Sequence, residues 1–344
     1  SKSGAAIAAY RIHLACRSIG IESNMYTDIS HLEDWTVQGP VGKLNKAIGF
    51  ARNHIGQLIS NLMRTSNPIL HSPSILPSNW SYKLNKSRYD LIHLHWTNGE
   101  MLSVAEVSKF TKPLIWTLHD MWAFCGAEHI SLDRRYISGY AKNNRPSYER
   151  GFDLNSWTWK RKLKNWKEPI QIVTPSHWLA NCAKNSYLMS SWEIEVIPNP
   201  IDTNLWYPID QKISRKILKL PSDEQIILFG AMTGISEHHK GFDLLEQSLK
   251  HLKGEIKNLR LIVMGQSEPK NPPDLSFPVN YIGHLSDQIS MLLVYNAADA
   301  LVIPSRVDNL PNMGVESLAC GTPIVAFNTC GLSDLVIHKI DGYL

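Results

Sequence analysis

Two carboxylates, Asp308 and Glu316, lie in a short segment that is rich in asparagine, proline and glycine, residues 304–323. The apolar run at its start, residues 300–303, predicts a buried parallel strand, and the pattern after the turn predicts a helix. In open α/β sheets ligands bind where such strands end, and the first amides of a helix attract anions. These residues therefore predict a site for a phosphate-bearing ligand.

A lysine that could share this chemistry, Lys240, precedes a helical pattern with apolar positions at Phe242, Leu244, Leu245 and Leu249. A lysine placed just before a helix can meet a diphosphate while the helix amides assist it. The alternative is an ordinary solvated lysine on the protein surface.

Three histidines lie at or near the ends of predicted strands in the first half. His119 ends an apolar run and is expected at the carboxyl edge of a sheet, although such histidines also serve as hydrogen-bonded core or capping residues. His93 and His95 alternate along another strand, but no third ligand follows at a spacing suited to zinc, so we interpret them as structural or acceptor-facing. The chain contains no Asp-x-Asp motif. No metal site is therefore expected.

The composition is that of a globular chain with room for two domains, since its 344 residues are 43% hydrophobic and 19% charged. The longest apolar runs fall far below the roughly 20 residues that cross a bilayer, so no membrane span is expected. The five cysteines contain no Cys-x-x-Cys pair. This favours a reducing, cytoplasmic location over a disulfide framework or a zinc site.

Charge is divided unevenly along the chain. Residues 1–190 contain 23 Lys and Arg against 13 Asp and Glu, whereas the remainder contains 12 against 18. The basic half could face anionic lipid, a pyrophosphate-linked acceptor or nucleic acid, and a solvated surface without a partner is the alternative.

Short apolar runs alternate with helical patterns, which predicts layers of parallel α/β structure. The proline-rich stretch 198–208 marks a border, so we expect domains at residues 1–199 and 200–344. Strands are predicted at residues 23–27, 91–95, 114–119 and 170–174, and in a restarted second pattern at 194–197, 226–230, 261–264, 279–282, 300–303 and 324–327. Helices are predicted at residues 5–18, within 43–63, at 101–110 and at 178–188, with long loops at 66–87 and 128–156.

Six segments occur in an order that resembles the retaining glycosyltransferases of family 4: SGAAIAAYRIHLA, TLHDMWAFCG, VTPSHWLA, VIPNPID, HHKGFDLL and DNLPNMGVESLACGTPIVA. The resemblance extends over nearly the whole chain. It implies the GT-B architecture, an α/β fold of two doubly wound Rossmann-like domains that face a cleft. The first domain would bind the acceptor and the second, truncated at its end, the nucleotide-sugar donor.

The resemblance also implies roles for individual residues. Lys240 would neutralise the departing diphosphate, and Glu316 would bind the ribose hydroxyls. Asp308 stands where glutamate is usual, and Ala231 where an arginine often follows the strand glycine, so His238, His239 or Arg306 is expected to assist Lys240. The catalytic set is His119, beside the donor sugar or its phosphate, with Lys240 and Asp308. The donor-binding set adds Gly4, Gly265, His284, Asn309, Leu310, Pro311, Asn312, Met313 and Glu316.

By this resemblance the chain is a hexosyltransferase that moves a sugar from a nucleotide diphosphate sugar to a saccharide or a lipid-pyrophosphate-linked acceptor in surface polysaccharide synthesis. The nucleotide sugar is its co-substrate, and no cofactor, metal or nucleic acid is expected. A catalytically inactive nucleotide-sugar-binding partner subunit is the alternative, because Asp308 and Ala231 depart from the family pattern and both ends look clipped.

One segment, residues 155–167, interleaves tryptophans with lysines and an arginine. It could lie on an anionic membrane or an acceptor diphosphate, which would give peripheral contact with the inner face of the membrane. We favour a packed amphipathic helix instead, because Trp157 and Trp159 cannot share one helical face.

Overall fold

The structure is a computed structural model that describes residues 3–30, 33–40, 42–230, 238–285 and 287–344. The chain divides into two compact units, Ser1–Asn199 and Pro200–Leu344. Each unit has its own parallel sheet and its own apolar core. Within the ranges described, no helix is long and apolar enough to span a membrane.

The first unit is built around a four-stranded parallel sheet. Its described strands are β1 (Met25–Tyr26), β2 (Val37–Gln38), β3 (Met63–Thr65), β4 (Ile92–Leu94), β5 (Leu114–Thr117), β6 (Glu149–Gly151), β7 (Gln171–Thr174) and β8 (Ile194–Val196). Its helices are α1 (Gly4–Ser18), α2 (Gly42–Ser60), α3 (Trp80–Asn85), α4 (Val104–Val107), α5 (Arg135–Ser138), α6 (Leu154–Asn165) and α7 (His177–Lys184). The main sheet has the order β4-β5-β7-β8, while β1 pairs with β2 and β3 pairs with β6.

Three expectations for this unit differ from the structure. Strand β8 pairs in parallel with β7, so it completes the first sheet instead of beginning the second pattern. The helix expected at residues 101–110 is limited to the single turn α4, which Ser103 and Glu106 close with a capping box. The predicted loops contain α3, α5 and β6, because antiparallel pairing of β6 with β3 organises residues 149–151.

The second unit has a six-stranded, wholly parallel sheet of order β11-β10-β9-β12-β13-β14. The strands are β9 (Gln225–Gly230), β10 (Leu259–Met264), β11 (Val279–Tyr281), β12 (Ala300–Ile303), β13 (Ile324–Ala326) and β14 (Gly342–Tyr343). The described helices are α8 (Gln211–Ile217), α9 (Phe242–Leu252), α10 (Gln288–Ala297), α11 (Asn312–Ala319) and α12 (Leu332–Leu335).

Continuous apolar runs explain the centre of this sheet, because a parallel strand is covered on both faces. Leu228, Leu261 and Leu301 are fully buried on three adjacent strands. The strand order reverses between β9 and β12, which lie side by side with Ile227 opposite Ala300. Such a reversal leaves a crevice at the carboxyl ends of the two strands, where ligands bind in open α/β sheets.

The tryptophan-rich segment forms α6 and is packed, as predicted. Trp159, Trp166 and Lys162 are buried, and Trp157 packs against a small core cluster that includes Leu154. The Lys162 ammonium donates to the backbone carbonyls of Trp122, Cys125 and Gly126 and lies over the Trp122 ring. These side chains are engaged inside the first unit and are not presented to a membrane.

Candidate functional site

The reversal point of the second sheet brings two predicted catalytic residues together. Lys240 follows β9 and Asp308 follows β12, and the Lys240 Nζ atom lies 2.7 Å from Asp308 Oδ2. The Lys240 side chain is 40% exposed, whereas that of Asp308 is 13% exposed. A partly solvated ammonium therefore stands at the strand ends with its carboxylate partner behind it.

The carboxylate of Asp308 is oriented by its own turn. Its Oδ1 accepts from the Asn309 amide at 3.0 Å, and its Oδ2 also accepts from the Ser305 hydroxyl at 3.3 Å. The Asp308 carbonyl accepts from the Gly331 amide at 3.0 Å. A Cβ at Gly331 would lie 1.3 Å from the Asn309 carbonyl oxygen, so only glycine allows this approach.

A second glycine sets the position of Lys240. Gly241 has a φ of 71°, and a Cβ there would lie 1.9 Å from the Pro304 carbonyl oxygen. Because an L side chain is disfavoured at that φ and would clash, glycine is required for the start of α9 to rest on the end of β12. Because Gly241 packs on Pro304, the neighbouring Lys240 lies within reach of Asp308.

Arg306 joins the same two segments but does not offer its guanidinium freely to a ligand. It donates to both carboxylate oxygens of Asp243 at 2.7 and 2.6 Å and to the His238 carbonyl at 2.8 Å. These bonds to Arg306 hold the pKa of Asp243 below its usual range. Of the residues expected to assist Lys240, Arg306 thus has a structural role. Ala231, which stands where an arginine is usual, lies outside the described residues.

Helix α11 begins at Asn312, directly after the turn that holds Asp308, and Pro311 is its N-cap. The first turn of α11 has no acidic residue, so its partial positive charge is not offset there. Asn309, Leu310, Pro311, Asn312 and Met313 are all partly exposed around this helix start. An anion can therefore approach this helix start, although Pro311 has no N–H and the Asn309 amide already donates to Asp308.

Glu316 is not a surface residue. It is 5% exposed, and its Oε2 accepts from the hydroxyl of buried Tyr295 at 2.6 Å. Tyr295 lies on α10. Sequence analysis could not find its contact with Glu316, because the tyrosine occupies an apolar position of that helix.

Other predicted donor residues are placed at the neighbouring strand ends. Gly265 follows β10 with a φ of 97°, and its amide donates to the Gly283 carbonyl at 2.7 Å, which links the ends of β10 and β11. His284 is exposed next to it. Gly4 belongs to the first unit, where it is the exposed first residue of α1 after the N-cap Ser3.

His119 lies in the first unit at the carboxyl end of β5 and contacts a second predicted histidine. Its Nε2 atom is 3.1 Å from His95 Nδ1. His93 packs on His95 with ring centroids 4.1 Å apart, and its Nε2 lies 2.7 Å from the Thr117 hydroxyl. Burial lowers the pKa of His119 and His93 to about 4, and Asp120 only partly opposes the shift at His119. These imidazoles are neutral at pH 7, which suits hydrogen bonds to hydroxyl groups better than binding of a phosphate charge.

Asp120, beside His119, is a polar centre that the sequence analysis did not single out. Burial acts to raise its pKa, but the contact with His129 and the Trp122 amide bring the pKa below its usual value. Its Oδ2 lies 2.7 Å from His129 Nδ1 and accepts from Trp96 Nε1 at 3.0 Å. Its position directly after His119 could have indicated this carboxylate as a site residue. Its partners His129 and Trp96 could not be found in this way, because they are distant in the sequence.

An apolar cavity of about 540 Å³ lies elsewhere in the second unit, between α9 and the strands β12 and β13. Its walls are mainly aliphatic and aromatic, including Leu245, Leu249, Val302 and Phe327. Diphosphates need donors and positive charge, which this wall does not supply. The candidate site is therefore the crevice at Lys240 and Asp308.

Comparisons with known proteins agree on the fold. Residues 38–205 match the family model "Glycosyltransferase Family 4", and residues 210–344 match "Glycosyl transferases group 1". The chain resembles sucrose-phosphate synthase from Thermosynechococcus elongatus at a TM-score of 0.60 and 18% identity, over 99% of this chain and 80% of that one. It resembles Anabaena HepE in complex with UDP-glucose at a TM-score of 0.52 and 16% identity, over 78% and 69% of the two chains.

A curated relative is the D-inositol 3-phosphate glycosyltransferase of Segniliparus rotundus, 27% identical over 169 residues. The match covers 46% of this chain and 37% of the relative, so the chain spans well under two thirds of that protein's length. Together these findings confirm the predicted two-domain GT-B fold, and both units match glycosyltransferase families.

Proposed function

We propose that this chain, which has the GT-B fold of glycosyltransferases, is a retaining hexosyltransferase that uses a nucleotide diphosphate sugar. The observation that carries the proposal is the pairing of Lys240 with Asp308 at the reversal point of the second sheet, directly before the start of α11. A partly solvated cation beside the positive end of a helix, at a sheet crevice, suits a diphosphate. The UDP-glucose complex of the HepE neighbour supports the same class of donor.

In the proposed step, the bond between the sugar C1 and the diphosphate oxygen breaks while the acceptor oxygen forms a bond to C1 from the same face. The acceptor hydroxyl gives its proton to the departing phosphate oxygen. Lys240 and the α11 amides stabilise the charge that develops on the diphosphate. Asp308 holds Lys240 in position before the donor arrives and then accepts a sugar hydroxyl.

In this proposal the first unit binds uncharged hydroxyl groups through its neutral imidazoles. His119, oriented by His95, binds a hydroxyl of the sugar, and the basic surface of residues 1–190 attracts an anionic acceptor. We assign the acceptor to the saccharides or lipid-pyrophosphate-linked saccharides of surface polysaccharide synthesis. The relative named for D-inositol 3-phosphate motivates a phosphorylated polyol as the competing acceptor class.

We also propose that transfer needs no divalent cation, because Lys240 and the α11 amides occupy the role that an Asp-x-Asp metal clamp has in other nucleotide-sugar enzymes. Chelation with EDTA should therefore leave the rate unchanged. A rate that collapses with EDTA and returns with Mg²⁺ or Mn²⁺ contradicts this part of the proposal.

The deciding experiment is a thermal-shift screen of the protein against UDP-, GDP-, ADP- and TDP-sugars, followed by incubation of any stabilising donor with each acceptor class. A specific donor should raise the melting temperature. NMR of the product should show that the anomeric configuration of the donor is kept. An inverted product contradicts retention, and the absence of any stabilising donor contradicts the proposed function.

The second candidate is a nucleotide-sugar-binding subunit without activity, favoured by the aspartate at position 308 where glutamate is usual. For such a subunit, a nucleotide sugar should raise the melting temperature of the protein, but neither sugar transfer to an acceptor nor slow hydrolysis of the donor should occur. Detection of free sugar or of a glycosylated acceptor, absent from a Lys240→Met control, excludes it.

A further inference from the structure

Trp96 is an aromatic side chain to which the proposed function gives no role. It follows the end of β4 in the first unit and is 37% exposed. In the described structure Trp35, whose ring contacts Arg17 of α1, is the only other exposed tryptophan, and the rest are buried or half-buried. Because Trp96 lies at the carboxyl end of a parallel strand, its indole is placed where ligands bind in α/β sheets.

The indole of Trp96 is held in a fixed orientation. Its Nε1 donates to Asp120 Oδ2 at 3.0 Å, and its ring packs on His129 with ring centroids 5.6 Å apart. His129 Nδ1 lies 2.7 Å from Asp120 Oδ2, and His129 Nε2 lies 2.8 Å from the Ser72 hydroxyl. Carboxylate, imidazole and hydroxyl follow the order of a hydrolytic triad, but Ser72 and His129 are each only 5% exposed. These contacts therefore orient Asp120 and Trp96 and do not attack a substrate.

Asp120 has capacity for one more hydrogen bond. Its Oδ1 accepts from the Trp122 amide at 2.9 Å, while its Oδ2 accepts from Trp96 and faces His129. A carboxylate offers about four acceptor positions, so one is left in addition to these three contacts. The Asp120 side chain is 22% exposed. A hydroxyl group of a ligand can therefore donate to it.

A small pocket opens beside the indole. Its volume is about 10 Å³, close to the least space that holds one water molecule or one hydroxyl group, and its walls include Trp96, Asn98, His119 and Asp120. Asn98 is 6% exposed, and its buried Nδ2 atom has no hydrogen-bond partner among the described residues. An unpaired amide donor inside a protein is costly, so such a group normally meets a ligand or a water molecule.

The charges around this pocket favour an uncharged ligand. The contacts of Asp120 hold its pKa below the usual value, and burial keeps His95 and His119 neutral. None of the described residues that line the pocket is a lysine or an arginine. The buried Lys162 donates its three N–H groups to backbone carbonyls of residues 122–126. A phosphate would therefore meet a carboxylate here and no available cation.

We infer that Trp96, Asn98 and Asp120 form a subsite for an uncharged pyranose ring at the accepting end of the acceptor. The C–H face of the sugar stacks on the indole, one hydroxyl donates to Asp120, and a second hydroxyl fills the pocket and accepts from Asn98 Nδ2. An aromatic wall with a few fixed polar groups is the usual form of a small-molecule site. The inference rests on the proposed function, whose acceptor it specifies, and it places any phosphate of that acceptor outside the subsite.

The test is titration of the full chain, without donor, with the methyl pyranosides of glucose, galactose, mannose and N-acetylglucosamine and with D-inositol 3-phosphate, followed by saturation-transfer NMR. At least one methyl pyranoside should bind, with the strongest saturation on the C–H protons of one ring face. Trp96→Ala should weaken this binding roughly tenfold and Trp96→Phe about threefold. The matched control Trp35→Ala removes the other exposed tryptophan and should bind like the wild type.

Asn98→Ala should weaken binding of the same pyranoside about fivefold, and it decides the question if Trp96→Ala fails to fold. Unchanged affinity in Asn98→Ala would mean that the pocket holds only a water molecule, which overturns the subsite. Stronger binding of D-inositol 3-phosphate than of every pyranoside, or no pyranoside binding by the wild type, also overturns it.

Thermal shifts with nucleotide sugars, measured on the same proteins, separate this inference from the proposed function. Trp96→Ala should keep the donor-induced stabilisation of the wild type, because the proposed donor site lies in the second unit. Pyranoside binding through Trp96 without any stabilising donor contradicts the proposed function and supports the subsite. A stabilising donor without pyranoside binding supports the proposed function and contradicts the subsite.

Discussion

The two candidate regions of the molecule treat charge in opposite ways. At the strand ends of the second unit, Lys240 and Asp308 form an ion pair whose ammonium stays in reach of water. At the strand ends of the first unit, burial keeps His93, His95 and His119 uncharged. A charged ligand needs the first arrangement, whereas uncharged hydroxyl groups can be bound by the second. The proposed function uses this difference, with the diphosphate bound by the second unit and sugar hydroxyls by the first.

The strongest way to break this comparison is to remove the cation. Lys240→Met should lower kcat for sugar transfer by about 100- to 1000-fold, because a preorganised charge at the leaving group is lost. The measurement is steady-state kinetics with the donor that stabilises the wild type. Lys250→Met is the matched control, since Lys250 pairs with Glu246 at the same distance of 2.7 Å but lies on the exposed side of α9. Equal turnover in the two variants would remove Lys240 from the mechanism.

The second prediction concerns the turn that carries Asp308. Gly331→Ala places a Cβ against the Asn309 carbonyl, so the turn must move, at a cost of roughly 2–3 kcal/mol in unfolding free energy. Donor-induced stabilisation should disappear with it. Urea unfolding with and without donor measures both effects.

Gly49→Ala on α2 serves as the control for that change. A Cβ at Gly49 meets nothing within 4 Å, so this variant should be more stable than the wild type by about 0.5–1 kcal/mol. If the Gly331→Ala variant still binds the donor, the position of the Asp308 turn against Gly331 is not needed for donor binding.

The third prediction concerns how the stability of the first unit, with its buried neutral histidines, depends on pH. His93 and His119 take up protons near pH 6.5 when unfolded but only near pH 4 when folded, because burial lowers their pKa. The unfolded first unit therefore binds more protons between these values, and its stability should fall as the pH drops from 6.5 towards 4. Each histidine should contribute roughly 2 kcal/mol over that range, with little change above pH 6.5.

Tryptophan fluorescence can follow this loss in the first unit, because all of the 11 tryptophans except Trp206 lie in that unit. His93→Gln should flatten the pH dependence. The Asp243–Arg306 pair of the second unit should respond only at more acid pH, because the pKa of Asp243 is lowered. A stability of the first unit that is constant down to pH 4 would show that its histidines are hydrated.

The parts of the molecule that could be predicted are those that local sequence determines. Apolar runs placed five of the six strands of the second sheet, all but β14. The turn after one of these strands indicated Asp308, and the helical pattern that follows Lys240 indicated the lysine. Strand β8 was assigned to the second pattern because spacing along the chain does not say which neighbour a strand pairs with. His129 and Lys162 were missed because their partners, Asp120 and the loop carbonyls, approach only through tertiary folding.

Tyr295 also has a partner, Glu316, that approaches it only through tertiary folding. The last prediction concerns its hydroxyl. Tyr295→Phe removes the donor to buried Glu316 and should cost roughly 1–2 kcal/mol in unfolding free energy, because the carboxylate loses a hydrogen bond inside the protein. Donor affinity should weaken as well if Glu316 binds the ribose. Denaturant melts and donor titrations measure the two effects. The control is Tyr281→Phe, since the buried Tyr281 hydroxyl has no hydrogen-bond partner in the part of the chain that is described. Identical losses in both variants would mean that the Tyr295 hydroxyl does not orient Glu316, and that the donor contact of the second unit depends on Lys240 and the α11 amides alone.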